Sequence, residues 1–110
     1  MKTAMSTEKN YNAMLTLAIP LTLEEYVLDF LLLHPAWASG FSIVDAEGMG
    51  QGASLLSTME KVQGRSRRKL VLIVGQMDEL QLLLKALGDE IRNPDVAYWI
   101  YPIAAFGRLQ

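Results

Sequence analysis

The 110-residue chain predicts an α+β domain of ferredoxin-like type, a βαββαβ sandwich with a four-stranded antiparallel sheet and two helices on one face. Three observations carry that expectation. Apolar periodicity switches between two and 3.6 residues in the order strand, helix, strand, strand, helix, strand. A proline follows each helical segment. The hydrophobic fraction of 51% is enough to fill one core at this length.

Residues 1–12 are polar, lack the apolar centre of a secretory signal, and read as a disordered leader before a single domain over 13–110. Ala13 to Ile19 then alternates, with Leu15, Leu17 and Ile19 on one face and Met14, Thr16 and Ala18 on the other. Pro20 ends that strand. Thr22-Leu23-Glu24-Glu25 fits a capping box, in which the Thr hydroxyl and the Glu25 carboxylate each satisfy an orphan N–H. Leu21 and Tyr26 stand where a hydrophobic staple would close over it. Tyr26, Val27, Phe30, Leu31 and His34 follow at helical spacing, and Pro35 stops the helix. His34 lies where the helix dipole favours a cation.

Gly40 to Glu47 is the second strand, with Phe41 and Ile43 on one side. Gly48 to Ser66 is a long loop, in which Ser54 to Val62 has the length for a helical turn. Lys69 to Val74 is a continuous apolar run suited to a central strand. Met77 to Arg92 is amphipathic, with Leu80, Leu83, Leu84, Leu87 and Ile91 as its buried stripe, and Asn93-Pro94 ends it. Val96 to Ile103 is an aromatic-rich final strand. Two helices cover only one sheet face. The other must bind something or pack against copies of the chain, and Tyr98, Trp99 and Tyr101 favour packing between subunits.

Composition removes several function classes. There is no Cys, so disulfides, thiolate metal sites and a cysteine nucleophile are excluded. A net charge of -2 and a pI near 5.3 argue against a nucleic-acid binder. The longest aliphatic runs, near Leu31 and Leu82, are too short to span a bilayer, and a cytoplasmic protein without membrane insertion is expected. With one His, and acidic pairs Asp78-Glu79 and Asp89-Glu90 whose neighbours diverge on a helix, no nucleophile–base pair is visible. No catalytic residue, cofactor or metal site is assigned, and the chain reads as non-enzymatic.

The chemistry concentrates in the long loop. Gly48-Met49-Gly50-Gln51-Gly52 opens it and Arg65-Ser66-Arg67-Arg68-Lys69 closes it. Five of the ten Lys and Arg residues fall between Lys61 and Lys69. Gly48, Gly50 and Gly52 either let the backbone approach a phosphate or form a plain flexible turn. Gln51 is a polar contact or a solvated side chain. Arg65, Arg67 and Arg68 are suited to an anionic ligand or an acidic partner. Alternation sends Arg67 and Lys69 to the face opposite Arg68, so they do not all meet one ligand. Glu60 is placed to pair with one of these arginines, and Asp45 and Glu47 offer a carboxylate-based divalent-metal alternative.

The fold order alone admits four classes. The third strand, Arg68 to Val74, has no aromatic residue, against an RNA-recognition domain. Lys61 to Arg65 superficially matches an acylphosphatase signature, but it precedes the third strand and the first connection is only Pro20-Leu21-Thr22. A metal chaperone of this fold would carry a Cys pair, and the six Met residues are scattered.

The long second connection, with Leu55-Leu56-Ser57, Glu60 to Arg65 and Tyr98-Trp99-Ile100-Tyr101-Pro102, resembles PII-like proteins of the nitrogen regulatory protein PII and CutA superfamily. It looks like a bacterial branch often encoded beside heavy-metal efflux pumps. The resemblance spans about Ala13 to Ile103. It implies a signalling T-loop at 48–66 and a homotrimer with sheets facing inward. It also implies a small anionic ligand, nucleotide or similar, at the loop base, where Gln51 matches a nucleotide-contacting glutamine. The implied partner is a membrane transport or metal-efflux protein. The stretch Asn93-Pro94-Asp95 departs from the glycine-rich second loop that closes the PII nucleotide site, so ATP binding in the PII manner is not implied. A structural docking module without a small ligand is the alternative.

Overall fold

The computed structural model describes residues 10–48 and 66–110. The elements run β1 (Ala13–Pro20), α1 (Glu24–Leu32), β2 (Phe41–Gly48), β3 (Ser66–Gly75), α2 (Met77–Glu90) and β4 (Ala97–Pro102), with a 3-10 turn over Leu21–Leu23 between β1 and α1. They form the expected ferredoxin-like α+β sandwich. The sheet order is β2-β3-β1-β4, and all three pairings are antiparallel.

The alternation read in β1 decides how the layers stack. Ala13, Leu15, Leu17 and Ile19 are all buried. They join one core with Val27, Phe30 and Leu31 of α1, Leu80, Leu83 and Leu87 of α2, and Val71 and Ile73 of β3. Register explains the match, because Leu15 sits opposite Ile73 and Leu17 opposite Val71, so both strands turn odd-numbered residues to the helices.

Even-numbered residues point the other way. The row Leu72, Thr16, Trp99 crosses three strands in register, and Val74, Met14, Tyr101 crosses beside it. No helix among the described residues packs on this face. Val44, Trp99 and Tyr101 are exposed there, while Thr16 is closed off between its neighbours. Tyr98 is one residue out of phase and lies on the helical side. The aromatic trio expected to pack together is therefore divided by strand alternation.

Several local expectations are corrected. Thr22 lies inside the 3-10 turn, and neither that turn nor α1 has a side-chain hydrogen bond at its N-cap. The capping box is not formed because the chain leaves β1 already coiled. Glu24 and Glu25 still occupy the first turn of α1, where negative charge is favourable. α1 ends at Leu32, so His34 lies beyond it. The His34 ring stacks flat on Trp37 at 5.1 Å between centroids and packs against Phe30 at 4.5 Å. β3 begins at Ser66, three residues before its expected start, because Ser66 to Arg68 continue the ladder with Gly48 to Ala46.

Tyr11 and Asn12, assigned to the leader, are tied into the domain. The Asn12 N–H donates to Gly75 O at 3.0 Å, and its carbonyl accepts from Ile103 N–H at 3.0 Å. Its side-chain oxygen accepts from Met77 N–H at 2.9 Å, a cap on α2 supplied from 65 positions away. Tyr11 meets Phe106 edge-on at 4.9 Å and shares a 2.6 Å hydrogen bond with Ser39. Residues 1–9 of the leader, the stretch Ser54 to Val62 expected to hold a helical turn, and residues 49–65 of the loop lie outside the described residues.

Gly75 joins β3 to α2 in close contact with the core. A Cβ there would stand 3.2 Å from Leu80 Cδ2 and 3.3 Å from Leu80 Cγ. Leu80 is fully buried, so it has little room to retreat. Gly75→Ala should therefore destabilise by about 1–3 kcal/mol, as overpacking does; chemical denaturation would measure it, and an unchanged midpoint would refute the tight packing.

Candidate functional site

The ends of β2 and β3 meet the β1–α1 junction at one edge of the sheet, where the 48–66 segment leaves the domain. Gly48 pairs with Ser66, Glu47 with Arg67, Ala46 with Arg68 and Asp45 with Lys69. Each acid of β2 thus faces a base of β3 across a non-local pairing, an arrangement that favours the register. Leu21 and Glu24 from the β1–α1 junction complete an open cleft with these residues. Charge of both signs converges in it.

Lys69 is its centre. Its Nζ donates to Asp45 Oδ1 at 2.5 Å and stands 4.0 Å from Glu24 Oε1. The side chain is 23% exposed, against 85% for Asp45. The hydrogen bond from Lys69 and its charge, with a contribution from Arg67, hold the Asp45 carboxyl below the usual aspartate range. The hydrogen bond to Asp45 raises Lys69 against an opposing desolvation effect. The signs follow directly. Asp45, depressed, contributes stability above its unfolded pKa and loses it as pH falls through the folded value. Lys69, raised, contributes below its unfolded pKa and loses it as pH rises through the folded value. The pair is intact across neutral pH. Carbon-detected NMR should find Asp45 titrating at lower pH in the native protein than in Lys69→Gln; equal midpoints would dissolve the pair.

Of the residues singled out in sequence, Gly48 ends β2, Arg67 stands opposite Glu47, and Arg68 lies on the opposite sheet face. Both arginines nevertheless border the cleft, because it opens around the end of the strand. Arg68 Nη1 donates to Arg67 O at 3.3 Å. Gly50, Gln51, Gly52, Arg65 and Glu60 lie outside the described residues. Lys69 and Glu24 were not assigned to the site from sequence. The Asp45–Lys69 pairing needs the β2–β3 register, and Glu24 needs the packing of α1.

Among the described residues, no three of His, Cys, Asp or Glu converge to hold a metal ion. Asp45, proposed as a metal ligand, is engaged by Lys69 instead. A second cleft, about 420 Å³, lies between α2 and β4 and is lined mainly by Leu84, Leu87, Ile91, Val96 and Tyr98. Its basic group, Lys85, is paired with Asp89 at 3.7 Å. Sequence reasoning missed it; the only signal was Tyr98 standing out of phase with Trp99 and Tyr101. No helix among the described residues is long and apolar enough to cross a membrane.

These features define a ferredoxin-like domain with charged groups gathered at the base of one long connection, and comparison with known proteins places the chain. Residues 9–110 match the family described as "Protein of unknown function (DUF3240)", and the chain belongs to that family. Its structure resembles a DUF3240 family protein from Shewanella baltica OS155, with a TM-score of 0.71 at 22% identity, covering 91% of this chain and 98% of that one. It also resembles CPII, a nitrogen regulatory PII-like protein from Thiomonas intermedia K12 solved with ADP, AMP and bicarbonate. There the TM-score is 0.62 at 15% identity, over 84% of this chain and 91% of that one. CutA from Synechococcus elongatus PCC7942 is similar at a TM-score of 0.62 and 13% identity, over 87% and 80% of the two chains. No curated protein matches in sequence. The likeness expected to PII-like proteins and CutA is found in the fold, which this chain shares with both.

Proposed function

We propose that the protein is a non-enzymatic, PII-like regulator that binds a small anionic ligand at the base of the 48–66 segment. The observation that supports this most is the clustering of Arg67, Arg68 and Lys69 at the cleft where that segment leaves the sheet. This fold, in CPII, is known with ADP, AMP and bicarbonate bound. Gly48, Gly50, Gln51, Gly52 and Arg65 complete the proposed site from the loop side. Ligand binding then biases the 48–66 segment as a docking surface for a partner, by differential affinity for two states. A membrane transport or metal-efflux protein is the partner class proposed, and the cytoplasm is the location. His34 is engaged by aromatic rings at the end of α1 away from Glu24.

The uncovered sheet face supports the second half of the proposal, a homotrimer with sheets turned inward. Trp99, Tyr101 and Val44, beside the half-buried Leu72, give that face an apolar surface that a lone domain would leave in water.

Calorimetric titration with ADP, AMP, bicarbonate and divalent cations tests the ligand. Binding of a nucleotide or bicarbonate that is weakened by about 1–3 kcal/mol in Arg67→Ala, as loss of a charge-assisted bond would do, fits the proposal. Binding of the same anion that is unaffected by Arg67→Ala and Arg68→Ala moves the site elsewhere. No binding across the panel supports the docking module without a ligand.

A further inference from the structure

The cleft is neutralised by its own acids. Three basic side chains, Arg67, Arg68 and Lys69, border it with three carboxylates, Glu24, Asp45 and Glu47. Lys69 has Asp45 Oδ1 in hydrogen-bond contact and Glu24 Oε1 at 4.0 Å. Lysine donates three hydrogen bonds from a point charge. Asp45 takes one of these donors, and an incoming anion that binds the ammonium competes with that carboxylate for its charge.

We infer that Asp45 is an internal competitor for the anion site, a tethered carboxylate that occupies Lys69 until a ligand anion displaces it. This rests on the function proposed above and names the residue that sets affinity there. Three features make Asp45 the displaceable partner. It is 85% exposed, whereas Glu24 is 32% exposed. Exposed ion pairs are weak, so exchanging one carboxylate for another anion is cheap. Asp45 also stands in β2 three residues before its end, so releasing its carboxylate disturbs side-chain contacts without breaking the β2–β3 ladder that runs on to Gly48 and Ser66. A ligand that replaces Asp45 leaves an uncompensated carboxylate beside the outlet of the 48–66 segment. Ligand occupancy is thereby converted into a change of charge at the surface the partner would meet.

The competition has a sign that distinguishes it from a supporting role. If Asp45 held Lys69 ready for the ligand, removing its charge would weaken binding; as a competitor, removing it strengthens binding. Titration calorimetry with ADP and with bicarbonate, on the full chain at low ionic strength, would be run for wild type, Asp45→Asn, Lys69→Gln and the double variant. The expected result is tighter binding in Asp45→Asn by about two- to five-fold, and weaker binding in Lys69→Gln. The double variant should then bind no tighter than Lys69→Gln alone, since the gain acts through the ammonium. Unchanged or weaker binding in Asp45→Asn, with wild type still binding, overturns the competitor and leaves the anion site standing. A gain that persists in the Lys69→Gln background also overturns it, because it would reflect net charge alone. Absence of binding in all four proteins overturns both readings.

Discussion

Leu15→Ala should destabilise the protein by about 2–5 kcal/mol, the largest loss expected from a single truncation in this fold. Leu15 lies mid-strand in β1, one of the two strands flanked on both sides in the sheet, opposite Ile73 of β3 and Ile100 of β4. It is completely buried and belongs to the core that holds α1 and α2 on the sheet. Truncation removes three carbons from a site whose strand cannot shift without disturbing two ladders, so collapse around the cavity is limited. Urea denaturation would measure the loss. A cost below about 1 kcal/mol would mean that the interior can rearrange freely, contrary to the jigsaw packing of cores.

The second large effect concerns assembly. In the proposed trimer the open face is an interface, and Trp99→Glu should disperse it. Trp99 stands in register with Thr16 and Leu72 across the middle of that face, and is 45% exposed in the isolated chain. Burying an unpaired carboxylate there would cost several kcal/mol per copy, and every subunit would carry the same penalty. Size exclusion with light scattering should show wild type at three times the 12.3 kDa chain mass and the variant at one. Leu82→Glu, an equally exposed position on the outer side of α2, should leave assembly unchanged. A wild type that is monomeric at micromolar concentration, or a Trp99→Glu trimer, would remove the interface from this face.

The layers of the fold were legible because strand alternation and helix stripes are local signals. Leu15, Leu17 and Ile19 announced their buried face, and Leu80, Leu83 and Leu87 theirs, and all of them meet in one core. Caps were less legible. The Thr22 to Glu25 motif matched a capping box letter by letter, yet a 3-10 turn carries the chain from Pro20 into α1. The cap that α2 does receive comes from Asn12, which no local pattern connects to Met77. The candidate site was half legible. The basic cluster flagged Arg67, Arg68 and Lys69 as charged. Only the β2–β3 register reveals that Lys69 faces Asp45, and only the packing of α1 brings Glu24 beside it. Long-range pairings of this kind are set by the whole sheet, so no window of sequence contains them. Tyr26 is a further instance: its hydroxyl donates to Glu90 at 2.5 Å, which raises its pKa and links the start of α1 to the end of α2 across 64 positions.

The most direct test of the central claim is a nitrogen–proton NMR titration of the protein with ADP, AMP and bicarbonate. The account predicts that the largest shifts fall on the backbone amides of Asp45 to Gly48 and Ser66 to Lys69, with Glu24 following and the α2–β4 cleft around Leu87 and Tyr98 unmoved. Shifts centred on that second cleft, or none at saturating concentrations of all three, would contradict it.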